Sequence, residues 1–437
     1  MVTDDPIRSR VVLVGDNRDR GNIGCRATSI ALSELLGRAF TVTGSVGGTA
    51  VERPLRIGVA GRVPGWDRTA KRAWNSAAAW NLGHLVPAPL RPDLAITTPQ
   101  DLAELLLKHR TDTAVAPLIE TIQRAELVVV NGEGDLIASD PPRRKLVFLL
   151  GLMEVAHRLG IPCAYVNAMV SDPPAEARNA SVLDAARSVL SRCSVMALRD
   201  HQSVDLARDL DLHAAPQWVP DALFTWSRLA PLPVERVAPV LRTAWPNEDG
   251  TGLELDLPYV CVSGSSAYSR GRKPPVSGFV DLVCSLRSEG LHPVLVESAE
   301  ADGFLQAVAR ETSTPLVPWA TNVHAVRAIL GGASAFVSGR HHPSILAALG
   351  GTRPVMFGSN SHKNTSLLAL MGVEPASEQD ADLDAGAVTA LVDATLLAVS
   401  ESGTTRDALR ARCFELGTEA SRLPTLLGSA DGRPMAS

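Results

Sequence analysis

Short apolar runs, many of them β-branched, alternate with longer amphipathic stretches over most of the chain. The short runs predict strands at Val11–Val14, Leu55–Val59, Leu127–Val130, Cys163–Val166, Val195–Leu198, Tyr259–Val262, Pro293–Val296, Ala335–Val337 and Pro354–Phe357. The amphipathic stretches predict helices at Ala27–Leu36, Arg144–Arg158, Ala175–Leu190, Phe279–Ser288, Val323–Leu330, Ile345–Leu349 and Lys363–Leu370. Because strands that alternate with helices form parallel sheets with right-handed crossovers, the pattern indicates an α/β protein.

The alternation lapses once, after Trp226, in a segment that contains Pro and Arg, and it then restarts. Two such runs predict two doubly wound Rossmann-like domains that face a cleft, with ligands beyond the carboxyl ends of the strands. A stretch at about 62–120 that contains several prolines indicates a helical insertion in the first domain. The predicted boundaries are 1–230 for the N-terminal domain, 231–257 for a linker, 258–402 for the C-terminal domain and 403–437 for a C-terminal helix and tail.

Composition narrows the classes of function. The chain has 437 residues, of which 45% are hydrophobic and 20% charged, and its net charge is −5, so we expect no nucleic-acid partner. The most apolar run, Leu146 to Met153, is far shorter than the roughly 18 residues that span a bilayer, so we expect no transmembrane segment. A polar start and six scattered cysteines without a Cys-x-x-Cys motif favour a cytoplasmic protein with reduced thiols. Homo-oligomerisation stays open.

The most informative motif, Ser-Gly-Arg-His-His-Pro at 338–343, follows a predicted strand. Its proline is a good first residue for a helix, so Arg340, His341 and His342 are predicted at the junction of a strand and a helix. Free backbone N–H groups and the helix dipole favour an anion there, and arginine adds a fork for phosphate or carboxylate. Lys363 follows the next strand, and we expect it to join the arginine around one anion. A polar loop with solvated histidines is the alternative.

Two loops of the first domain also follow predicted strands. One is punctuated by glycine and carries Asn22 and Gly24, where the backbone can approach a ligand closely. The other reads Asn-Gly-Glu-Gly-Asp at 131–135 and places two carboxylates where they could serve as a base or bind sugar hydroxyls. A surface turn is the alternative for each loop. The candidate residues of the second loop are Gly132, Glu133, Gly134 and Asp135.

Three further strand ends carry polar groups. Arg199 leaves the strand Val195–Leu198 and is predicted to point into the cleft, while Asp200 caps the following helix. Asp221 ends another extended segment and is interpreted as a cap or turn residue. The loop that begins at Ser263 has small residues suited to backbone contact with an anion.

In their order along the chain these motifs resemble those of the polysaccharide pyruvyltransferase family. The matching motifs are Asn22-Ile23-Gly24, Asn131-Gly132-Glu133-Gly134, Leu198-Arg199-Asp200 with Ser203, Pro220-Asp221, Gly339-Arg340-His341-His342, and Pro354-Val355 with Lys363. The resemblance covers roughly residues 11–60 and 121–372 and implies a glycosyltransferase-B-like fold. The acidic residues of the second motif and the lack of an aromatic residue just before Lys363 depart from the family pattern.

The resemblance implies a transferase that moves a pyruvyl group from phosphoenolpyruvate to a saccharide or glycoconjugate acceptor, forms a ketal and releases phosphate. It implies no metal and no resident cofactor, because phosphoenolpyruvate is a co-substrate. His342 matches the family residue at the donor. The implied donor-binding cations are Arg340, Arg199 and Lys363. Candidate bases without family precedent are Glu133, Asp135 and His341. The other candidates for substrate binding are Asn22, Gly24, Gly132, Gly134, Ser263 and, again, His341.

Two other functions fit the same pattern. A glycosyltransferase-B-like enzyme that uses a nucleotide sugar would need a similar basic site for its diphosphate. A non-catalytic glycan-binding relative is disfavoured, because Arg340, His342 and Lys363 are all present.

Overall fold

The computed structural model describes residues 8–47, 98–111, 113, 115–139, 143–173, 178–230, 258–268, 272–374, 380–401 and 403–430. The predicted strand Leu55–Val59, the predicted linker at 231–257 and most of the predicted insertion at 62–120 lie outside these residues. The described residues form two compact units. Unit 1 holds those within Met1–Asn17, Leu36–Trp218 and Leu423–Ser437, and unit 2 holds those within Arg18–Leu35 and Val219–Arg422.

Unit 1 contains a sheet of six strands in which every neighbouring pair runs parallel. The strands are β1 (Arg10–Asp16), β2 (Thr41–Gly47), β3 (Leu127–Ile137), β4 (Cys163–Ser171), β5 (Val195–Leu198) and β6 (Gln217–Trp218). Their spatial order is β2-β1-β3-β4-β5-β6. Strands β4 and β5 are buried along their whole length, which explains why they read as continuous apolar runs in the sequence.

Unit 2 contains a second parallel sheet, of five strands. They are β7 (Tyr259–Ser265), β8 (His292–Val296), β9 (Leu316–Val317), β10 (Ala335–Gly339) and β11 (Arg353–Met356), in the spatial order β11-β10-β7-β8-β9. The central strand β7 and its neighbour β10 are buried throughout. The two sheets confirm the prediction of two doubly wound α/β domains.

Helices connect the strands of both sheets. In chain order they are α1 (Ile23–Gly37), α2 (Pro99–Lys108), α3 (Ala116–Gln123), α4 (Arg144–Arg158), α5 (Ala180–Leu190), α6 (His201–Asp209), α7 (Val276–Ser288), α8 (Leu305–Thr312), α9 (Val323–Gly332), α10 (His341–Leu349), α11 (Lys363–Met371), α12 (Ala385–Ser400), α13 (Gly403–Ala420) and α14 (Leu423–Ala430). Short 3₁₀ helices span Ala222–Arg228, Ser266–Tyr268 and Glu300–Asp302. Asp200 caps α6 as predicted, because its Oδ1 accepts the backbone N–H of Ser203 at 2.8 Å.

Each unit has its own apolar core, formed where helices pack on the strands. Burial of one such Leu or Val side chain contributes about 1.5–3 kcal/mol to folding. Four of the six cysteines, Cys163, Cys193, Cys261 and Cys413, are buried free thiols, as expected for core residues. Burial raises the pKa of the Cys163 thiol to about 12, so this group stays protonated at neutral pH. Cys284, by contrast, is exposed.

Three strands were not predicted from the sequence, and several helices, among them α1, α7 and α10, begin before their predicted first residue. Strands β6 and β9 have only two residues each, and β2 is a partly exposed edge strand with two glycines, so none of them forms an apolar run. Helix α10 begins at His341, two residues before the proline that was expected to start it. Proline fits in the first turn because the N–H groups there need no acceptor within the helix.

The strand order reverses once in each sheet. In unit 1 this switch point lies between β1 and β3, and in unit 2 it lies between β7 and β10. Doubly wound sheets bind ligands beyond the carboxyl ends of the strands at such points. The unit 1 switch point is defined here as residues 15–17 and 131–135, and the unit 2 switch point as residues 263–266 and 339–342.

Residues 219–230 precede the predicted linker but belong to unit 2, and two further segments also belong to the other unit from the one predicted from the sequence. The start of α1 joins unit 2, where Asn22 pairs with Ala299 and the backbone N–H of Ile23 donates to the carbonyl of Ser298 at 2.9 Å. Helix α14 joins unit 1, where it contacts β5. Both assignments depend on contacts between distant parts of the chain, which a local pattern of apolar residues does not reveal.

The helices near the carboxyl end differ in how they pack. Helix α13 lies in unit 2 against the 3₁₀ helix Ala222–Arg228, where Gly417 meets the backbone of Phe224.

In the described part of the chain no single helix is long and apolar enough to cross a bilayer. One bent pair, Ala385–Ser400 with Gly403–Ser429, reaches that length and composition only when its two helices are taken together.

Candidate functional site

Two histidines and an aspartate meet at the unit 2 switch point. His341 and His342 form the start of α10, and Asp221 precedes the 3₁₀ helix Ala222–Arg228. Nε2 of His342 lies 3.3 Å from Oδ2 of Asp221, and the two side chains are 11% and 2% exposed. The carboxylate therefore fixes a proton on that ring nitrogen and orients the imidazole.

Both members of this pair are held by the segment that follows β1. Oδ1 of Asp221 accepts the hydroxyl of Thr28 at 2.7 Å and the backbone N–H of Leu223 at 3.0 Å. Gly24 packs on the histidine, since a Cβ at this position would lie 2.6 Å from Cβ of His342. Any larger residue at position 24 would displace the imidazole. Asn22 caps α1, the helix that contains Gly24 and Thr28, because its Oδ1 accepts the backbone N–H of the residue three positions later at 3.0 Å.

Arg340 forms a buried ion pair with Asp302. Its Nη2 donates to Oδ1 of Asp302, whose Oδ2 accepts the backbone N–H groups of Ser298 and Ala299 at 3.1 Å each. Burial raises the pKa of the Asp302 carboxyl, and the guanidinium and the two N–H groups offset part of that rise. Gly264 lies directly against this carboxylate, so a side chain there would overlap it.

The guanidinium of Arg340 retains a donor for a ligand. Its Nε is buried and has no hydrogen-bond partner within the part of the chain that the structure describes. A buried N–H without an acceptor costs about 1–3 kcal/mol. Arg340 is also the N-cap residue of α10, where free N–H groups and the helix dipole favour negative charge. An anion bound at this point would therefore complete the hydrogen bonding of the arginine.

The other residues predicted around the donor contact protein groups. Nδ1 of His341 donates to the backbone carbonyl of Lys363 at 3.0 Å. Nζ of Lys363 donates to Oδ1 of Asn360 at 2.8 Å. Oγ of Ser263 is buried and lies 2.7 Å from Oγ of Ser298. The anion that Lys363 was expected to share with the arginine stays a prediction.

Amides surround a buried carboxylate at the unit 1 switch point. Oε1 of Glu133 accepts hydrogen bonds from Nδ2 of Asn17 and, at 3.5 Å, from Nδ2 of Asn131. Oδ1 of Asn131 in turn accepts Nδ2 of Asn167 at 3.1 Å. None of these four residues is more than 4% exposed. The carboxylate is thus removed from water and held by neutral donors.

The backbone at this cluster is strained. Glu133 and Asn167 have φ of 43° and 52°, in the left-handed region that side-chain-bearing residues seldom adopt. Each costs on the order of 1–3 kcal/mol, and such residues concentrate at functional sites. The pairing of β3 with β4 also shifts register between Glu133 and Leu136. Bulges of this kind redirect side chains next to active sites.

Two arginines lie at Gly134, which follows the strained glutamate. Nη1 of Arg143 donates to the carbonyl of Gly134 at 3.1 Å. Nη2 of Arg199 is 3.7 Å from where a Cβ of residue 134 would lie, and Arg199 is only 2% exposed. Gly132 packs against a buried tyrosine ring. The backbone of Asp135 belongs to β3, and its side chain lies outside the described residues.

The structure sorts the predicted residues into two sets. The set in unit 2 comprises Asn22, Gly24, Ser263, Arg340, His341, His342 and Lys363. The set in unit 1 comprises Gly132, Glu133, Gly134, Asp135 and Arg199. Asp302, Asn17 and Asn167 were not predicted from the sequence, and Asp221 was interpreted as a cap or turn residue within the Pro220-Asp221 motif. Asp221 does cap, but it also contacts His342. The available signals were its position directly after an extended segment and the family motif in which it stands.

Solved structures share this fold over nearly the whole chain. A Staphylococcus aureus MnaA–UDP co-structure has a TM-score of 0.51 at 10% identity, with 96% of each chain covered. A trehalose-6-phosphate structure from E. coli bound with UDP-2-fluoro glucose has a TM-score of 0.53 at 11% identity, covering 98% of this chain and 100% of the other. A UDP-GlcNAc 2-epimerase from Neisseria meningitidis bound to UDP-GlcNAc has a TM-score of 0.53 at 9% identity, covering 96% and 99%. These similarities confirm the glycosyltransferase-B-like fold class.

The sequence itself identifies the family. Among curated proteins none matches the chain. The model of the family described as polysaccharide pyruvyl transferase, in contrast, matches residues 66–361, which is more than half of the chain. This range includes Asn131, Glu133 and Asn167 of unit 1 and both histidines of unit 2. The chain therefore belongs to the polysaccharide pyruvyl transferase family.

Proposed function

We propose that the protein transfers a pyruvyl group from phosphoenolpyruvate to two hydroxyls of a saccharide or glycoconjugate, forming a ketal and releasing phosphate. The observation that carries this proposal is the buried Nε of Arg340, which lacks a partner among the described residues and is followed two positions later by the His342–Asp221 pair. This arrangement places an anion-binding group and a proton donor two positions apart at one helix start. Phosphoenolpyruvate requires both groups.

Recognition of the donor is assigned to the unit 2 switch point. Phosphoenolpyruvate carries a phosphate and a carboxylate, and arginine binds either group through its planar fork. Asp302 takes one arm of Arg340 and thereby fixes the orientation of the rest of the guanidinium. The N-terminus of α10 adds backbone N–H groups, which favour binding of the phosphate next to Arg340.

The chemistry assigned to His342 is protonation of the methylene carbon of the donor. The carbon–carbon double bond supplies the electron pair for the new C–H bond, and the central carbon becomes an oxocarbenium-like electrophile. Asp221 stabilises the protonated imidazole and keeps its Nε2 oriented. A first acceptor hydroxyl attacks the central carbon, phosphate leaves with the C–O bond electrons, and a second hydroxyl closes the ketal. The proton of one acceptor hydroxyl replaces the proton that His342 gave to the methylene carbon, and the proton of the other hydroxyl leaves with phosphate.

Recognition of the acceptor is assigned to the unit 1 switch point. Glu133 is a desolvated carboxylate, which makes it a candidate to accept the proton of an attacking hydroxyl. Asn17, Asn131 and Asn167 supply amide groups of the kind that hydrogen-bond sugar hydroxyls. The scheme uses phosphoenolpyruvate as co-substrate and assigns no resident cofactor.

The second candidate function is glycosyl transfer from a nucleotide sugar. Three of the fold neighbours are described with UDP, UDP-2-fluoro glucose or UDP-GlcNAc. At 9–11% identity, however, they inform on the fold alone. The family match favours pyruvyl transfer.

A two-donor assay separates the two functions. The full-length chain is incubated with a panel of saccharides and either phosphoenolpyruvate or a UDP-sugar, and released phosphate, released UDP and acceptor mass are measured. We expect phosphate release that depends on both phosphoenolpyruvate and acceptor, together with an acceptor heavier by one pyruvyl ketal. His342→Ala is the negative control. UDP release with no consumption of phosphoenolpyruvate would reject the proposal in favour of glycosyl transfer.

A further inference from the structure

We propose that Asp221, His341 and His342 form a binding site for a divalent transition-metal ion, with Zn²⁺ as the probe. One ligand atom from each of these three buried residues lies within 4.8 Å of the other two. Two imidazoles and one carboxylate are the ligands found at many catalytic zinc sites. The resemblance to the family implied no metal, and the sequence assigned the two histidines separate roles and Asp221 the role of a cap or turn residue.

The spacing suits a tetrahedral ion. Ligand atoms about 2.0–2.2 Å from zinc lie roughly 3.3 Å from one another. Nε2 of His342 and Oδ2 of Asp221 already have this separation, at 3.3 Å. The limit of 4.8 Å means that the ligand atom of His341 lies at most about 1.5 Å beyond the separation of an ideal tetrahedral site.

Protein groups orient each ligand for this role. Nδ1 of His341 donates to the carbonyl of Lys363, so in the neutral ring Nε2 carries the lone pair. A backbone carbonyl on the far nitrogen is the usual partner of a metal-binding histidine. Oδ1 of Asp221 is held by Thr28 and by the backbone N–H of Leu223, which leaves Oδ2 directed at His342.

A simple Asp–His hydrogen bond would account for Asp221 and His342 but not for His341. The rings of the two histidines stand nearly perpendicular, with centroids 5.1 Å apart, although adjacent residues on a helix usually point in different directions. His341 is thus the residue that distinguishes a metal site from a dyad. A borderline ion such as Zn²⁺ fits these ligands, whereas Mg²⁺ prefers oxygen ligands in octahedral geometry.

Metal binding at Nε2 of His342 would displace its contact with Asp221, on which the proton transfer assigned to His342 depends. This consequence rests on the proposed function, whereas the site itself does not. Zn²⁺ is therefore expected to inhibit pyruvyl transfer by the wild type, and whatever activity His341→Ala has is expected to resist the inhibition.

The test titrates Zn²⁺ into the metal-stripped full-length chain in competition with a chromophoric chelator. We expect one Zn²⁺ per chain in the wild type and binding at least about 100-fold weaker in His341→Ala. His292→Ala removes an exposed histidine of the same unit and should bind like the wild type. An excess of Mg²⁺ should not displace Zn²⁺. His342→Asn provides a second ligand variant, with a thermal unfolding curve for each protein to exclude misfolding.

The outcomes separate the two proposals. Absence of stoichiometric Zn²⁺ binding in the wild type, or equal binding in the wild type and both folded ligand variants, overturns the metal site. Binding through His341 in a protein that shows no pyruvyl transfer upholds the metal site and rejects the proposed function. Binding without inhibition of an active wild type overturns the competition at His342.

Discussion

At the unit 1 switch point a carboxylate is surrounded by neutral amides, whereas at the unit 2 switch point a guanidinium and two imidazoles lie with two carboxylates. Glu133 receives amide hydrogen bonds from Asn17 and Asn131. Arg340 pairs with Asp302, and His342 pairs with Asp221. Both sites lie where the strand order of a doubly wound sheet reverses. The same topological position therefore supports two different sets of charged and polar groups, which the side chains decide.

The two sites also differ in how they fix their functional groups. In unit 1 the backbone of Glu133 and Asn167 is strained, so a part of the folding free energy holds that geometry. In unit 2 the geometry depends on glycines that leave room for neighbouring side chains. Gly24 leaves room for His342, and Gly264 leaves room for Asp302. Substitutions should therefore act differently at the two sites. Loss of charge should matter most in unit 2.

The largest effect is expected at the adjacent histidines. His342→Ala should lower pyruvyl transfer by about 1,000-fold or more, because it removes the proposed proton donor. His341→Ala should keep a substantial part of the activity, because this ring contacts the carbonyl of Lys363. The measurement is initial-rate phosphate release in metal-free buffer. Equal losses in the two variants would show that the roles of the adjacent histidines are assigned wrongly.

The next largest effect is expected for Arg340→Lys. Lysine keeps the charge but loses the planar fork, so kcat/KM for phosphoenolpyruvate should fall about 100-fold, mainly through KM. Arg310→Lys, an exposed position of the same unit, is the matched control and should be unchanged. Steady-state kinetics with varied donor measures both variants. A fall in kcat with an unaltered KM would argue against a donor-binding role.

A smaller effect is expected for Glu133→Gln. The amide can still accept hydrogen bonds from the neighbouring asparagines, but it cannot take a proton, so kcat should fall about 10- to 100-fold. KM for phosphoenolpyruvate should stay the same, which would separate the two switch points kinetically. A strong rise in that KM would mean that Glu133 acts on the donor.

The smallest effect is on stability and lies away from both sites. Glu154 accepts hydrogen bonds from Arg158 at 2.9 Å and from Arg192. Burial raises the pKa of Glu154, but the hydrogen bonds and charges of these arginines outweigh burial and leave the pKa below the ordinary 4.5. The pairs therefore stabilise the fold above about pH 4.5, and that stabilisation is lost as the pH falls through the lowered pKa.

Glu154→Gln should accordingly lower the free energy of unfolding by about 1 kcal/mol at neutral pH, and the difference should shrink in acid. Glu120→Gln is the control, because its pair with Arg124 is 59% and 71% exposed and should contribute little. Urea unfolding of both variants across pH measures the effect. A difference that grows in acid would contradict the assigned direction of the pKa shift.

The sequence predicted the strands of both sheets wherever they form buried apolar runs, as at Val195–Leu198. It could not predict the two-residue strands at the sheet edges, whose existence depends on pairing with a neighbour. The local motif predicted that Arg340 and His342 share a strand end. The partners Asp302 and Asp221 lie 38 and 121 positions away in sequence, so only the folded structure reveals them.

The most direct test of the central claim is calorimetric binding of phosphoenolpyruvate without acceptor. Four proteins are compared: the wild type, Glu133→Gln, Arg340→Met, and the double variant Arg340→Met with Asp302→Asn. The double variant avoids leaving a buried carboxylate without its arginine. We predict that the wild type and Glu133→Gln bind with similar affinity and that both arginine variants lose binding. Loss in Glu133→Gln with retention in the arginine variants would contradict a donor site in unit 2.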